Sequence, residues 1–168
     1  MDRRRDVRTS ARTSTVEVTL DDAWSVVVAG DAPSPWYTDA APFVFRGAVD
    51  RLVGGGGRRW PAPGTARLAR GDRAGFWEVE DVVDLGRRRR LLLAATVRAP
   101  GRVTCDVTVE AAPGGSRLTT EVRLDPRGVL GWAYLAVDLP AREAVVEEVH
   151  RRIVADVTTD RLPPPSSR

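Results

Sequence analysis

RRLLLAATVRAPGRVTCDVTVEAAPGGSRLTTEVRL, residues 89 to 124, is the stretch on which the fold turns. Three successive runs place one side chain in two on a common face: Leu91, Leu93, Ala95 and Val97, then Val103, Cys105, Val107 and Val109, then Leu118, Thr120, Val122 and Leu124. The opposite positions carry Arg98, Thr104, Asp106, Thr108, Glu110, Thr119, Glu121 and Arg123. Alternation at period two marks strands with one wet and one buried face. The breaks Ala99-Pro100-Gly101 and Ala112-Pro113-Gly114-Gly115 are too short for crossover helices, so neighbours pair antiparallel. Upstream, AGFWEVEDVV from Ala74 adds a further strand through the turn Asp84-Leu85-Gly86. The expectation is a meander with a core on one side only.

Working outward, TVEVTL at residues 15 to 20 places Val16, Val18 and Leu20 on one face and reads as a half-buried strand. Asp21 or Asp22 can cap a short helix, AWSVVVA, that stops at Gly30. A turn through Ala32-Pro33-Ser34-Pro35 leads to Trp36-Tyr37, and Phe45, Val49, Leu52 and Val53 then form the stripe of a second helix ended by Gly54. Beyond Asp125-Pro126-Arg127-Gly128 the period is helical again, with Val145, Val149, Ile153 and Val157 recurring every four residues. Glu147 to Arg151 and Glu148 to Arg152 are i, i+4 pairs on the other side of that helix. The apolar run Val129 to Leu139 just before it would span only about 16 Å as a helix, roughly half a bilayer core, and so is no membrane anchor. It reads as the first part of the same C-terminal helix, bent or restarted at Pro140. The fold class is therefore α+β: a curved antiparallel sheet, two short helices after the first strand, and a long C-terminal helix across the concave side.

At 168 residues the chain fits one domain, placed at residues 15 to 160 between a disordered basic tail, 1 to 14, and a disordered Pro/Ser tail, 161 to 168. All 26 basic residues are Arg, and the net charge of +3 resides in residues 1 to 12, where five Arg face two Asp. The rest of the chain is balanced and offers no electrostatic footprint for a phosphate backbone, so no nucleic-acid partner is expected. The N-terminal stretch lacks the apolar segment of a secretory signal, and the lone Cys105 cannot close an intramolecular disulfide. With one His and one Cys there is no cluster for a metal, no cofactor is expected, and the localisation read is cytoplasmic.

The segments PWYTDAAPFVFRGAVDRLVGGGG, GDRAGFWEVEDV and SRLTTEVRLDPRGVLGWAYLAVDLP carry a resemblance. Together with the element order, they resemble a branch of unknown function in the START-like, polyketide-cyclase-like helix-grip superfamily, over about residues 16 to 158. The resemblance implies the helix-grip fold and an interior cavity, and its branch is often fused to NAD(P)-binding, epimerase-like oxidoreductases. This chain lacks a G-x-G-x-x-G turn between a strand and a helix, so NAD binding is not implied. Where relatives tend to bear aromatic residues or His after Leu139-Pro140, it reads Ala141-Arg142-Glu143.

Among the chemistry-bearing residues, Gly54 to Gly57 follow a helix instead of opening one and read as a loop. Arg87 to Arg90 read as a solvated hairpin with outward arginines. His150, the one imidazole, reads as a boundary residue at the edge of the helical stripe, and no Ser-His-Asp set can be assembled around it. Aromatics concentrate outside the later strands, whose inner faces include small residues. Large groups across from small ones suit a small-molecule cavity, giving Trp36, Tyr37, Trp77, Cys105, Trp132 and Tyr134 as candidate ligand-binding residues. Cys105 itself reads as a small buried hydrophobe. The leading expectation is a non-catalytic protein that binds an apolar or aromatic small molecule. The alternatives are a polyketide cyclase/dehydratase-like enzyme using Tyr37, Tyr134, Glu78 or His150, and an interaction module that forms a homo-oligomer or meets a separate oxidoreductase.

Overall fold

The computed structural model describes residues 9–32, 35–39, 65–96, 101–126 and 128–159, with side chains in the last segment described from Arg142 onward. Its elements are β1 (Thr9–Val16), α1 (Leu20–Val27), α2 (Trp36–Asp39), β2 (Arg73–Ala74), β3 (Trp77–Asp84), β4 (Arg88–Ala95), β5 (Gly101–Ala112), β6 (Gly115–Pro126) and α3 (Gly128–Thr159). The six strands form one antiparallel sheet in the order β1-β6-β5-β4-β3-β2. The expected meander is present, and the alternation of residues 89 to 124 is its cause. Leu91, Leu93, Cys105, Val107, Val109, Leu118, Thr120, Val122 and Leu124 are all buried. With the long helix against the concave face of this curved sheet, the architecture is a helix grip.

The first strand differs from its expected position. It begins at Thr9 and ends at Val16, so six residues of the stretch read as tail are paired with β6, from Thr9 opposite Arg123 to Val16 opposite Ser116. The reason lies in the face it turns inward: Ser10, Arg12 and Ser14 share a side with Val122, Thr120 and Leu118, and no apolar alternation betrays the strand. α1 is capped by Thr19, whose Oγ1 accepts from the Asp22 backbone N–H at 3.2 Å and donates to the Asp22 carboxylate at 2.7 Å. Asp21 and Asp22 are thus first-turn acids favoured by the helix dipole instead of the cap itself. The second helix expected over Phe45 to Val53 lies outside the described residues.

α3 is a single helix that runs through Pro140 without a break. Its inward stripe is Arg142, Val146, Val149, His150, Ile153 and Val157, with Val145 only partly buried at its margin. Steps of three and four keep a stripe on one side of a straight helix, whereas the strict four-residue spacing read from the sequence drifts around it. The expected pair of Glu147 with Arg151 gives way to Glu147 with Arg12 of β1, at 2.6 Å, while Arg151 meets Glu148 and Arg152 meets Asp156. The helix packs on β6 and β1, over one half of the sheet. None of the described helices is long and apolar enough to cross a membrane.

The β5–β6 turn places Gly114 at φ +78°, where a side chain is strained, and brings Gly115 under β1. A Cβ on Gly115 would lie 2.0 Å from the Val16 carbonyl oxygen and 3.0 Å from the Glu17 Cα. Because both obstacles are backbone, Gly115→Ala is expected to lower stability by about 3 kcal/mol, at the upper end of overpacking costs, as read from the urea midpoint.

Candidate functional site

The concave face changes character from one edge to the other. Its rows follow the register: Ser10, Val122, Cys105, Leu93 and Val79 in one, and Arg12, Thr120, Val107, Leu91 and Val82 in the next. The β3–β5 side is apolar. The β1–β6 side, under α3, is polar: Ser10, Arg12, Ser14 and Thr120 meet Arg142, Glu143, Glu147 and His150.

His150 is the centre of this seam. Its ring is only 5% exposed, with Nδ1 3.0 Å from Thr120 Oγ1 and Nε2 2.9 Å from Ser14 Oγ. The expected boundary position is therefore corrected: the one imidazole is buried, and both its nitrogens are held by hydroxyls on two different strands. Burial pushes its pKa below the ordinary 6.5, the nearby Glu147 carboxylate works against that shift, and the Arg12 charge adds to it. About two helical turns earlier, Arg142 is buried and donates through Nε to Ser10 Oγ at 3.1 Å, while Ser10 donates to Glu143 Oε1 at 2.6 Å. Arg12 lies at the rim of the seam, bonding Glu143 at 2.8 Å and Glu147 at 2.6 Å. Arg142 and Glu143 are thus two members of the polar cluster.

The six residues singled out from the sequence fall in different places. Trp36 and Tyr37 are buried and stack edge to face at 5.5 Å, but their polar atoms are spent on the end of α1 and the segment after it: Trp36 Nε1 donates to the Val27 carbonyl at 3.1 Å and Tyr37 Oη to the Ala29 carbonyl at 3.0 Å. Burial, assisted by the Asp31 charge, pushes the Tyr37 phenol up to about 12. Trp77 is buried beside Phe76, ring centroids 4.6 Å apart, and pairs across the sheet with Ala95. Cys105 is buried at the centre of the apolar side, and burial raises its thiol to about 12. The side chains of Trp132 and Tyr134 lie outside the described residues. Glu78, the acid among the candidate enzyme residues, is exposed, and Glu80 on the same face of β3 pairs with Arg102. The arginine run is more engaged than a solvated hairpin, because Arg88 pairs with Glu110, Arg89 with Asp84 and Asp21, and Arg90 with Asp106.

One concavity of about 470 Å³ opens beside the bulge in β3, lined by Arg70, Gly71, Glu78, Glu80, Asp81 and Leu92 among others. Of the sequence-derived residues whose side chains are described, Trp36, Tyr37, Trp77 and Cys105, none lines it. Among the described residues, no three His, Cys, Asp or Glu side chains converge as metal ligands.

Comparison with known proteins gives the family without an activity. A family model described as "Protein of unknown function (DUF2867)" matches residues 6–149, and the chain belongs to that family. No curated protein matches it. Among solved structures it is similar to DynU16, a protein of the dynemicin biosynthetic locus, at 13% identity and TM-score 0.53, over 91% of this chain and 48% of that one. The chain thus spans about half the length of DynU16. Protein MLL2253 from Mesorhizobium loti matches at 11% identity and TM-score 0.46, covering 93% of this chain and 100% of that one. Ara h 8.0201 matches at 12% and 0.42, covering 88% and 97%. The likeness to DynU16 is one of fold alone.

Two consequences can be measured. A folded state that disfavours the His150 proton holds its full contribution above the unfolded value of 6.5 and loses it as pH falls through that value towards the lower folded one. The urea midpoint should therefore decline below about pH 6.5, and less steeply in His150→Gln. Cys105 should resist an aromatic disulfide reagent in the native protein and react within minutes once denatured, as followed by released thiolate.

Proposed function

We propose that this member of a family of unknown function is a cytoplasmic protein that binds an apolar or aromatic small molecule between the sheet and the C-terminal helix. The observation that carries the reading is the division of the concave face. α3 is set over β1 and β6, while Trp77, Val79, Leu93 and Cys105 make an apolar wall on the other half. A ligand body against that wall can turn a polar end towards the seam at Arg142 and His150, the pattern of small-molecule sites with an apolar lining and few polar groups. Trp77 and Cys105 are the wall residues of the proposal. Trp132 and Tyr134, on the first half of α3, are its proposed cover, and Trp36 and Tyr37 brace the far end.

A second reading has one observation in its favour. The buried imidazole of His150, kept neutral near pH 7 by its surroundings, is suited to proton transfer at a carbonyl substrate, as a polyketide cyclase/dehydratase-like enzyme would need. This reading places the substrate carbonyl at the polar seam and its rings on the apolar wall.

Native mass spectrometry of the protein as purified, followed by titration with flat aromatic polyketides and fatty acids, tests the binding proposal. A one-to-one adduct that Leu93→Trp abolishes, with its circular dichroism unchanged, is the expected result. Binding that survives this filling of the wall would place the ligand elsewhere.

A further inference from the structure

The hydroxyl of Ser14, the imidazole of His150 and the hydroxyl of Thr120 form a line of hydrogen bonds across three separate elements, β1, α3 and β6. A valine or leucine at each position would fill a helix–sheet seam without the cost of burying polar groups. Thr120 is fully buried, whereas Ser14 is partly exposed on β1, an edge strand. The line therefore runs from an enclosed anchor to a partly exposed residue of the sheet edge. Nucleophile to base at 2.9 Å and base to orienting group at 3.0 Å are the separations that hydroxyl nucleophiles use.

We infer that Ser14 is an activated nucleophile and that the protein carries a serine acyl-hydrolase activity toward esters with acidic leaving groups such as phenols. In the tautomer required, Nδ1–H donates to Thr120 Oγ1 and Nε2 accepts from Ser14 O–H. Ser14 Oγ bonds to the acyl carbon as its proton passes to Nε2. The carbon–oxygen bond to the phenol breaks, and the departing oxygen receives that proton, leaving an acyl ester on Ser14. Water then bonds to the same carbon, its proton going to Nε2, and Ser14 Oγ leaves and recovers the proton. The balance is ester plus water to acid plus phenol, with the protein regenerated. Ser14 and His150 are the catalytic residues, and Thr120 is a positioning residue that fixes the tautomer. An acidic leaving group is specified because Arg12, the nearest cation along β1, is spent on Glu143, Glu147 and the Ala11 carbonyl and cannot serve the developing oxyanion.

The test uses the full chain with 4-nitrophenyl acetate and, separately, a fluorophosphonate probe, each followed by peptide mapping. The expected result is a burst of nitrophenolate, one acetyl or phosphonyl group on Ser14, and an acylation rate that rises with pH to a plateau with a midpoint below 6.5. Ser14→Ala should lose the label, His150→Gln should slow acylation by about 100-fold or more, and Thr120→Ser should restore the pH profile that Thr120→Val displaces. Because the buried variants can fail to fold, the wild-type map and pH profile decide on their own. No label at Ser14, or labelling there that rises only with hydroxide and shows no plateau, overturns the inference. An imidazole 15N spectrum with the proton on Nε2 at neutral pH would overturn the tautomer and the step built on it.

Discussion

A sheet that is apolar on one side alone has to be covered, and the covering contact is the docking of α3 on β6 and β1. Val146, Val149, Ile153 and Val157 are buried there, each contributing about 1.5–3 kcal/mol by leaving water. The position of nearly every functional group follows from it. β1 brings no apolar face of its own, so its place is held by the ladder with β6 and by hydroxyl and guanidinium bonds to the helix. Without α3 over that edge, Ser10, Ser14 and Thr120 would simply face water.

The same docking explains why the polar groups gather at one edge. A helix lying over half the sheet leaves two environments on one concave face: a seam where buried polar atoms have partners on both sides, and a wall where they would have none. Buried polar groups persist where hydrogen bonds compensate their lost hydration. His150, Thr120 and Arg142 accordingly sit in the seam, and Leu93, Cys105 and Val79 form the wall. The ion pairs of Arg12 with Glu143 and Glu147 lie at the rim, where partial exposure limits each to at most about 1 kcal/mol. Their effect is to orient the strand against the helix.

Strands β3 to β6 and the existence of the long helix were legible because burial on one face leaves a periodic trace. Val103, Cys105, Val107 and Val109 alternate with Thr104, Asp106 and Thr108, and Leu118, Val122 and Leu124 with Thr119, Glu121 and Arg123. β1 was legible only at its end, Val16, because its inner face is Ser10, Arg12 and Ser14 and a polar strand against a polar helix face leaves no hydropathic trace. His150 was misread for a related reason. Charged neighbours in EEVHRR suggest an outer face, but Glu147 and Glu148 lie about 110° and 150° from the centre of the inward stripe, on opposite sides of it, and their charges say nothing of His150.

The sequence by itself determined the meander, its buried side, the amphipathic C-terminal helix and the small, inert character of Cys105, since each depends on residues close along the chain. Only the tertiary structure decided that Ser14, Thr120 and His150 meet. They stand 136 and 30 residues from one another's partners in sequence, joined by a strand register and a helix position that no local pattern encodes. Periodicity records which face of an element is apolar. It carries no information about which hydroxyl of one strand will lie opposite which nitrogen of a helix, because that depends on where the whole face comes to rest.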